Sequence, residues 1–372
     1  MTERRAAGGN SPDSAEHSAP TAGWMVVETL TRTGDTADAS VVVRDGLPKG
    51  WTSLLRALPQ KRAAEAARTL VGRVVAHPQE ITETVALRDG DVTLRVSPVL
   101  GPSGAVHGVL LHAGPAGAAP APPPRAAAYE WSGVDRVFRF TPDMGAFLDH
   151  TDGTPLVGTA PGLFEAIHDS ESGMYLLTAL IDARDGDRWA GTVAARAEDG
   201  PVPLRNVVRT ARVEEDGEAD LVSRGLAVEL RPDQLSSEGP SLESLALRSL
   251  TRSLRTSMAL VDMSAVRVVR WLTEPVQGVQ WKGDVDRRDT PHPDDVLRLV
   301  DLYKTMDRWS DHTAFLPGVR LRRRGGGWVV VDLRATRVPG HRFIMVEFQP
   351  TGTSDEPDPV PVTDRGYPRP FF

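Results

Sequence analysis

His292 sits in the run Pro291-His-Pro-Asp-Asp295, and an imidazole followed by two carboxylates is a donor set that could hold a metal ion. The same residues also make a helix start. Pro293 suits the first helical position, and Asp294 and Asp295 place negative charge where the helix dipole favours it. The helix start accounts for all three residues, so no metal is assigned. A second chemical grouping is aromatic: Trp271, Trp281, Tyr303, Trp309 and Trp328 concentrate in the last third of the chain. Such rings either pack a core or line a cavity and stack on a small ligand. A third is the basic run Arg320 to Arg324, which alternates with Val319 and Leu321. It reads as a solvated strand face, with an acidic partner or a phosphate as the other possibility. No His-Glu-x-x-His, Gly-x-Ser-x-Gly, Walker-type loop or Gly-x-Gly-x-x-Gly occurs, and no nucleophile can be paired with a base. No catalytic residue is assigned, and the chain is expected not to be an enzyme. With no cysteine, disulfides, thiolate chemistry and Cys-ligated metals or clusters are excluded.

The elements that must carry these residues follow from pattern. Met258 to Asp262 and Val266 to Trp271 are apolar runs either side of a Met263-Ser-Ala turn. Val296, Leu299, Val300, Tyr303 and Met306 recur at helical spacing. Two strands flank Gly325-Gly-Gly327. In the second, Val329, Val331, Leu333 and Ala335 share one face, and a last strand covers Arg342 to Phe348. This region, 257–350, reads as an antiparallel sheet with helices on one face.

Upstream the plan recurs. Residues 1–22 read as a disordered leader. In 23–114 a strand at Trp24 to Leu30 precedes helices at Trp51 to Leu58 and Lys61 to Val75. Strands at Glu80 to Leu87, Val92 to Leu100 and Ala105 to His112 follow, with Asp89-Gly90 as one hairpin turn. The Pro- and Ala-rich stretch 115–128 reads as a semi-stiff linker with neither strand nor helix. In 129–232, strands open at Tyr129 and Val137. Helical character lies at Leu163 to His168 and Gly173 to Ile181, and three strands close at Arg188 to Arg196, Val202 to Val213 and Leu221 to Leu230. Residues 233–256 predict a connecting helix with Leu247, Leu250 and Leu254 on one face, either packing or contacting a partner. Residues 351–372 read as a disordered tail, whose Tyr367, Phe371 and Phe372 could dock on the body or a partner. The fold class is α+β in three domains.

The net charge of −7 argues against a general nucleic-acid binder, since nothing in it attracts a phosphate backbone. Only four of the 43 basic residues are Lys, a bias that looks genomic rather than functional. No apolar run is long enough to span a bilayer and no signal core opens the chain, so a cytoplasmic protein is expected.

The strand and helix order of 257–350, with its His292-Pro-Asp-Asp295 element and Gly-Gly-Gly-Trp328 hairpin, resembles a PAS sensor domain. The middle region allows a GAF-like variant of that architecture. Trp24-Met-Val-Val-Glu-Thr-Leu30, Ser223-Arg-Gly-Leu226 and Val269-Arg-Trp-Leu-Thr-Glu-Pro275 extend the likeness. Together the folded length resembles an actinobacterial family of triple-sensor proteins in PAS-GAF-PAS order with no output domain. That resemblance implies a regulatory protein with a protein partner and a possible small-molecule ligand, and leaves both unidentified. No cofactor is assigned. Flavin photochemistry of the LOV type would need the cysteine this chain lacks, and nothing places a histidine for haem. The alternative expectation is a constitutive scaffold, or an enzyme's accessory subunit, with side-chain-filled domains.

Overall fold

A computed structural model describes residues 23–31, 39–145, 147, 156–168, 170–215, 218–235, 246, 249, 256–282, 288–308, 313–339 and 342–361. The first sheet contains β1 (Gly23–Glu28), β2 (Ser40–Arg44), β3 (Leu47–Ser53), β4 (Ile81–Val85), β5 (Val92–Leu100) and β6 (Val106–Pro115), with helices α1 (Leu54–Ala57) and α2 (Lys61–Ala76). The second contains β7 (Ala126–Ser132), β8 (Val137–Phe140), β9 (Leu156–Thr159), β10 (Arg188–Ala195), β11 (Val202–Glu215) and β12 (Glu218–Glu229). Its helices are α3 (Pro142–Gly145), α4 (Ala160–Ala166) and α5 (Ser170–Ile181). The third contains β13 (Ser257–Asp262), β14 (Arg267–Trp271), β15 (Thr313–Arg322), β16 (Trp328–Arg337) and β17 (Phe343–Ser354), with α6 (Pro293–Arg308).

The strand orders are β3-β2-β1-β6-β5-β4, then β9-β8-β7-β12-β11-β10 for the second sheet, then β14-β13-β17-β16-β15. The first two are the same topology, and the third is that topology without its outer strand. The chain is α+β, with each first strand at its sheet's centre beside the last.

Residue alternation shows what covers each face. Along β1, Met25 and Val27 join the core under α2, where Ala67, Leu70, Val71 and Val74 supply the buried stripe at helical spacing. Val26 points to the opposite face and packs with Val42, Val43 and Val99 against Ala128, Val207, Leu226 and Val228 of the second sheet. The first two sheets therefore lie back to back, and Trp24 to Val27 of β1 form an unbroken apolar run because both faces of the strand are buried. Small residues permit the approach. A Cβ on Gly108 would lie 2.7 Å from a Leu226 methyl and 3.1 Å from the Val27 carbonyl oxygen. The second sheet's other face packs on α3–α5, and that core continues into Val269 and Phe343 of the third sheet.

Several expectations are corrected. Trp51 to Ser53 belong to β3 rather than to a helix, and only Leu54–Ala57 is helical. Trp51 takes a positive φ of 40° and its ring sits under Arg188 and Arg209 of the second sheet, contacts that override local propensity. The stretch read as linker loses both ends to sheets: Pro115 ends β6, and Ala126 to Ala128 open β7. Ala127 and Ala128 are wholly buried, since their small side chains fit between packed layers. The stretch read as a tail is strand as far as Ser354. The leader 1–22 and Leu247, Leu250 and Leu254 lie outside the described residues; the described start of the connecting segment is a 3₁₀ turn, Pro232–Gln234.

Candidate functional site

A cavity of about 480 Å³ lies between the third sheet, α6 and the second sheet's helices. Its inner wall is the apolar face of the third sheet, with Val261, Leu333, Ala335 and Val346. Its roof is the α6 stripe of Leu299, Leu302 and Tyr303. The alternation of β16 and the spacing of α6 deliver these side chains to one chamber. Trp271 and Trp281 also line it and form an edge-to-face pair, ring centroids 4.9 Å apart, with Phe348 at 5.5 Å and 6.0 Å. Part of the wall comes from the second domain: Trp131, Arg136, Glu165, Ile181 and the Thr159–Gly162 stretch.

At this joint Asp262 is fully buried and collects cations from both sides. Arg136 Nη2 lies 3.1 Å from Oδ2, and Arg342 Nε lies 3.4 Å from Oδ1. Asp262 Oδ1 also accepts from the Ser264 N–H at 3.0 Å and hydroxyl at 2.7 Å, which closes the β13–β14 turn. Burial holds the Arg136 guanidinium below its usual range, against the pull of Asp262. Burial also opposes the charge of Arg342, but Asp182 (3.0 Å) and Asp262 outweigh it and hold its pKa above the usual value. Arg267 donates across the joint to the Asp135 carbonyl at 3.1 Å, and Arg342 donates to the Ser264 hydroxyl. Arg136 (φ 57°) and Val266 (φ 50°) both line the cavity with left-handed backbones, which a β-branched valine rarely adopts.

Of the five aromatics singled out in the sequence, Trp271, Trp281 and Tyr303 line the cavity, and Trp309 lies outside the described residues. Trp328 does not line it. Its fully buried ring is held between His292, 4.7 Å away edge-to-face, and the Arg322 guanidinium at 5.1 Å.

His292 Nδ1 accepts from the Asp294 backbone N–H at 3.2 Å, and the His292 carbonyl accepts from the N–H of Asp295 and Val296, so His292 caps α6. The Asp295 carboxylate is buried and accepts from Arg298 Nη1 at 2.7 Å and from both Nε and the backbone N–H of Arg320 at 2.9 Å. Burial pushes its pKa up, but the Arg320 and Arg298 hydrogen bonds prevail and hold it below the usual carboxylate range. Asp294 is exposed. No metal-holding cluster of three or more His, Asp or Glu occurs among the described residues.

The basic run is not a solvated face. Arg320 pairs with Glu356 at 2.7 Å, Arg323 with Asp355 at 2.7 Å, and the buried Arg322 with Asp358, which Arg288 also reaches at 2.7 Å. The chain's own acidic segment covers it.

Sequence reasoning missed the second-domain wall. Tyr129-Glu-Trp131 marked a strand, but nothing local announces that Arg136 will meet Asp262, more than a hundred positions on, or that Trp131 will share a cavity with the third sheet.

The fold and site define an α+β protein of three topologically repeated sheets, with a cavity at the joint of the last two. Residues 23–124 match the model of the "Rv3651-like, N-terminal" family, which covers the first sheet and the stretch leading to the second. A crystal structure of a protein from Mycobacterium tuberculosis is similar at 21% identity and a TM-score of 0.72, over 88% of this chain and 96% of that one. That likeness shows a shared fold. A structure described as an RNA-binding light-oxygen-voltage receptor gives 9% identity and a TM-score of only 0.23, over 61% of this chain and 95% of that one. The curated proteins give no match. Among the described residues no helix is long and apolar enough to cross a membrane.

Proposed function

We propose that this chain is a non-enzymatic sensor or adaptor in which a small ligand occupies the third-domain cavity and alters how the last two domains pack. The observation that carries this reading is the cavity's construction. It has the volume of a small-molecule site, roughly 300–1,000 Å³, is walled by aliphatic and aromatic side chains, and takes part of its wall from the neighbouring domain. A ligand touching both domains has differential affinity for their packings, the thermodynamic requirement for a signal. The thrice-repeated strand order, with the central first strand beside the last, supports the PAS-GAF-PAS reading drawn from the sequence. The output under this reading is a contact with a protein partner.

Native mass spectrometry of the protein taken gently from its own cells tests the proposal. A stoichiometric small adduct lost on denaturation is the expected result. A stoichiometric protein partner with no small adduct would overturn it and favour a scaffold with closed domains.

A further inference from the structure

The polar groups around the cavity narrow the class of ligand, given the reading of that cavity as a ligand site. Charge is already spent inside the protein. Arg136 lies on Asp262, Lys282 on Asp289 at 2.7 Å, and the other lining cations, Arg267 and Arg324, have partners within the chain. Glu165 also lines the wall, but burial and the neighbouring Glu274 raise its pKa and disfavour its charge. A charged ligand would leave water for a largely apolar chamber whose charges are engaged or disfavoured, a costly transfer. Hydrogen-bonding capacity is different. Trp131 lines the cavity, is fully buried, and its indole Nε1–H has no acceptor among the described residues. Arg136 Nε is likewise buried without an acceptor. Both are donors, and an indole N–H can do nothing but donate. Buried donors without partners are rare in folded proteins and call for an acceptor. The rest of the chamber, with Trp271, Trp281 and Tyr303, offers ring faces and edges.

We propose that the cavity takes an uncharged, ring-bearing molecule carrying an acceptor oxygen of the ketone, quinone or amide type. The rings lie among Trp271, Trp281 and Tyr303, and the oxygen lies toward the domain joint, where a small shift of the packing opens the closed-off donors of Trp131 and Arg136 to it. The ligand thereby bridges the two domains through its polar end.

Three fluorescent probes of similar ring size separate the alternatives on the full chain: the neutral naphthyl ketone prodan, neutral N-phenylnaphthylamine without an acceptor oxygen, and anionic anilinonaphthalene sulfonate. Prodan is expected to bind once per chain, about tenfold or more tighter than the sulfonate. Trp131→Phe deletes the donor and leaves a smaller ring, and is expected to weaken prodan by about threefold to tenfold more than phenylnaphthylamine, the worth of one hydrogen bond. Ala335→Phe or Val261→Phe, each filling the chamber, abolishes binding of both neutral probes. Sulfonate binding as tightly as prodan, or Trp131→Phe shifting both neutral probes equally, would overturn the ligand class and leave the cavity reading intact. If no probe binds, or filling the chamber changes nothing, the cavity reading itself fails. Should Trp131→Phe not fold, the prodan-to-sulfonate ratio on the unaltered protein decides.

Discussion

Arg136 of the second domain and Asp262 of the third meet at 3.1 Å, with the carboxylate fully buried and the guanidinium nearly so. The pair pins the β7–β8 turn to the β13–β14 turn, and Arg342 adds a second cation from the third domain. Removing one partner of such a pair strands the others away from water. Asp262→Ala is expected to destabilise the third domain by about 3 kcal/mol, because Arg136 and Arg342 lose their shared carboxylate and the Ser264 turn loses its acceptor. Urea unfolding followed domain by domain with limited proteolysis checks this. The third domain should become cleavable at lower urea than the first, and an unchanged midpoint would contradict it.

Tyr129 makes the opposite case. Its ring packs against Phe138 and Phe140 at 5.9 Å and 6.3 Å, but its hydroxyl is buried with no hydrogen-bond partner among the described residues. Burial pushes the phenol's pKa well above its usual value. Deleting an unsatisfied buried hydroxyl removes a desolvation cost while keeping the ring. Tyr129→Phe is therefore expected to stabilise the fold by about 1 kcal/mol, visible as a raised melting temperature. Gly225→Ala should do the reverse by about 1–3 kcal/mol, since its Cβ would lie 2.2 Å from that same ring. A lowered melting temperature for Tyr129→Phe would mean that the hydroxyl has a partner.

Legibility in the sequence followed burial pattern. Where one face of an element is buried, as for Val329, Val331, Leu333 and Ala335 of β16, period-two alternation announces the strand. The α6 stripe and the Pro293-Asp-Asp295 start were equally readable. Where both faces are covered the alternation vanishes, and β2 (Ser-Val-Val-Val-Arg) passed without notice between turns. Trp51 and Ala126 to Ala128 were misread because neighbouring sheets, not local propensity, decide their conformation. Half of the cavity was visible as an aromatic cluster. The other half was not, because Trp131 and Arg136 acquire their role only when two domains pack.

Asp295 gives a pH signature. Its pKa in the folded chain lies below the ordinary carboxylate value, so the folded state favours its ionised form. That contribution is present above the unfolded pKa, about 3.9, and is lost as pH falls through the lower folded value. Asp295→Asn should be less stable than the unaltered protein by about 2 kcal/mol near neutral pH. The gap should be flat above about pH 5 and shrink below about pH 4. Denaturant midpoints of both proteins across that range check this, and a gap that widens toward acid pH would reverse the sign.

The acidic segment after β17 works through one residue more than the others. Asp355 is largely exposed and its pair with Arg323 is open to salt, whereas Asp358 reaches Arg322, which is only 3% exposed and stacked on Trp328. Exposed pairs contribute roughly 0–1 kcal/mol, because water and salt screen them. Losing the counter-charge of a buried guanidinium costs more, although Arg322 keeps two hydrogen bonds to the Asp289 carbonyl at 3.1 Å. Asp358→Asn is expected to lower stability by about 2 kcal/mol, and Asp355→Asn by less than about 0.5 kcal/mol. Added salt should erase the Asp355 effect and leave most of the Asp358 effect. Hydrogen exchange localises it: Asp358→Asn should speed exchange at Arg322 and Arg323, whose amides bond to the Thr290 and Gly327 carbonyls, while β1 stays protected. Equal and equally salt-sensitive losses in the two variants would show that the segment is held only by surface charge.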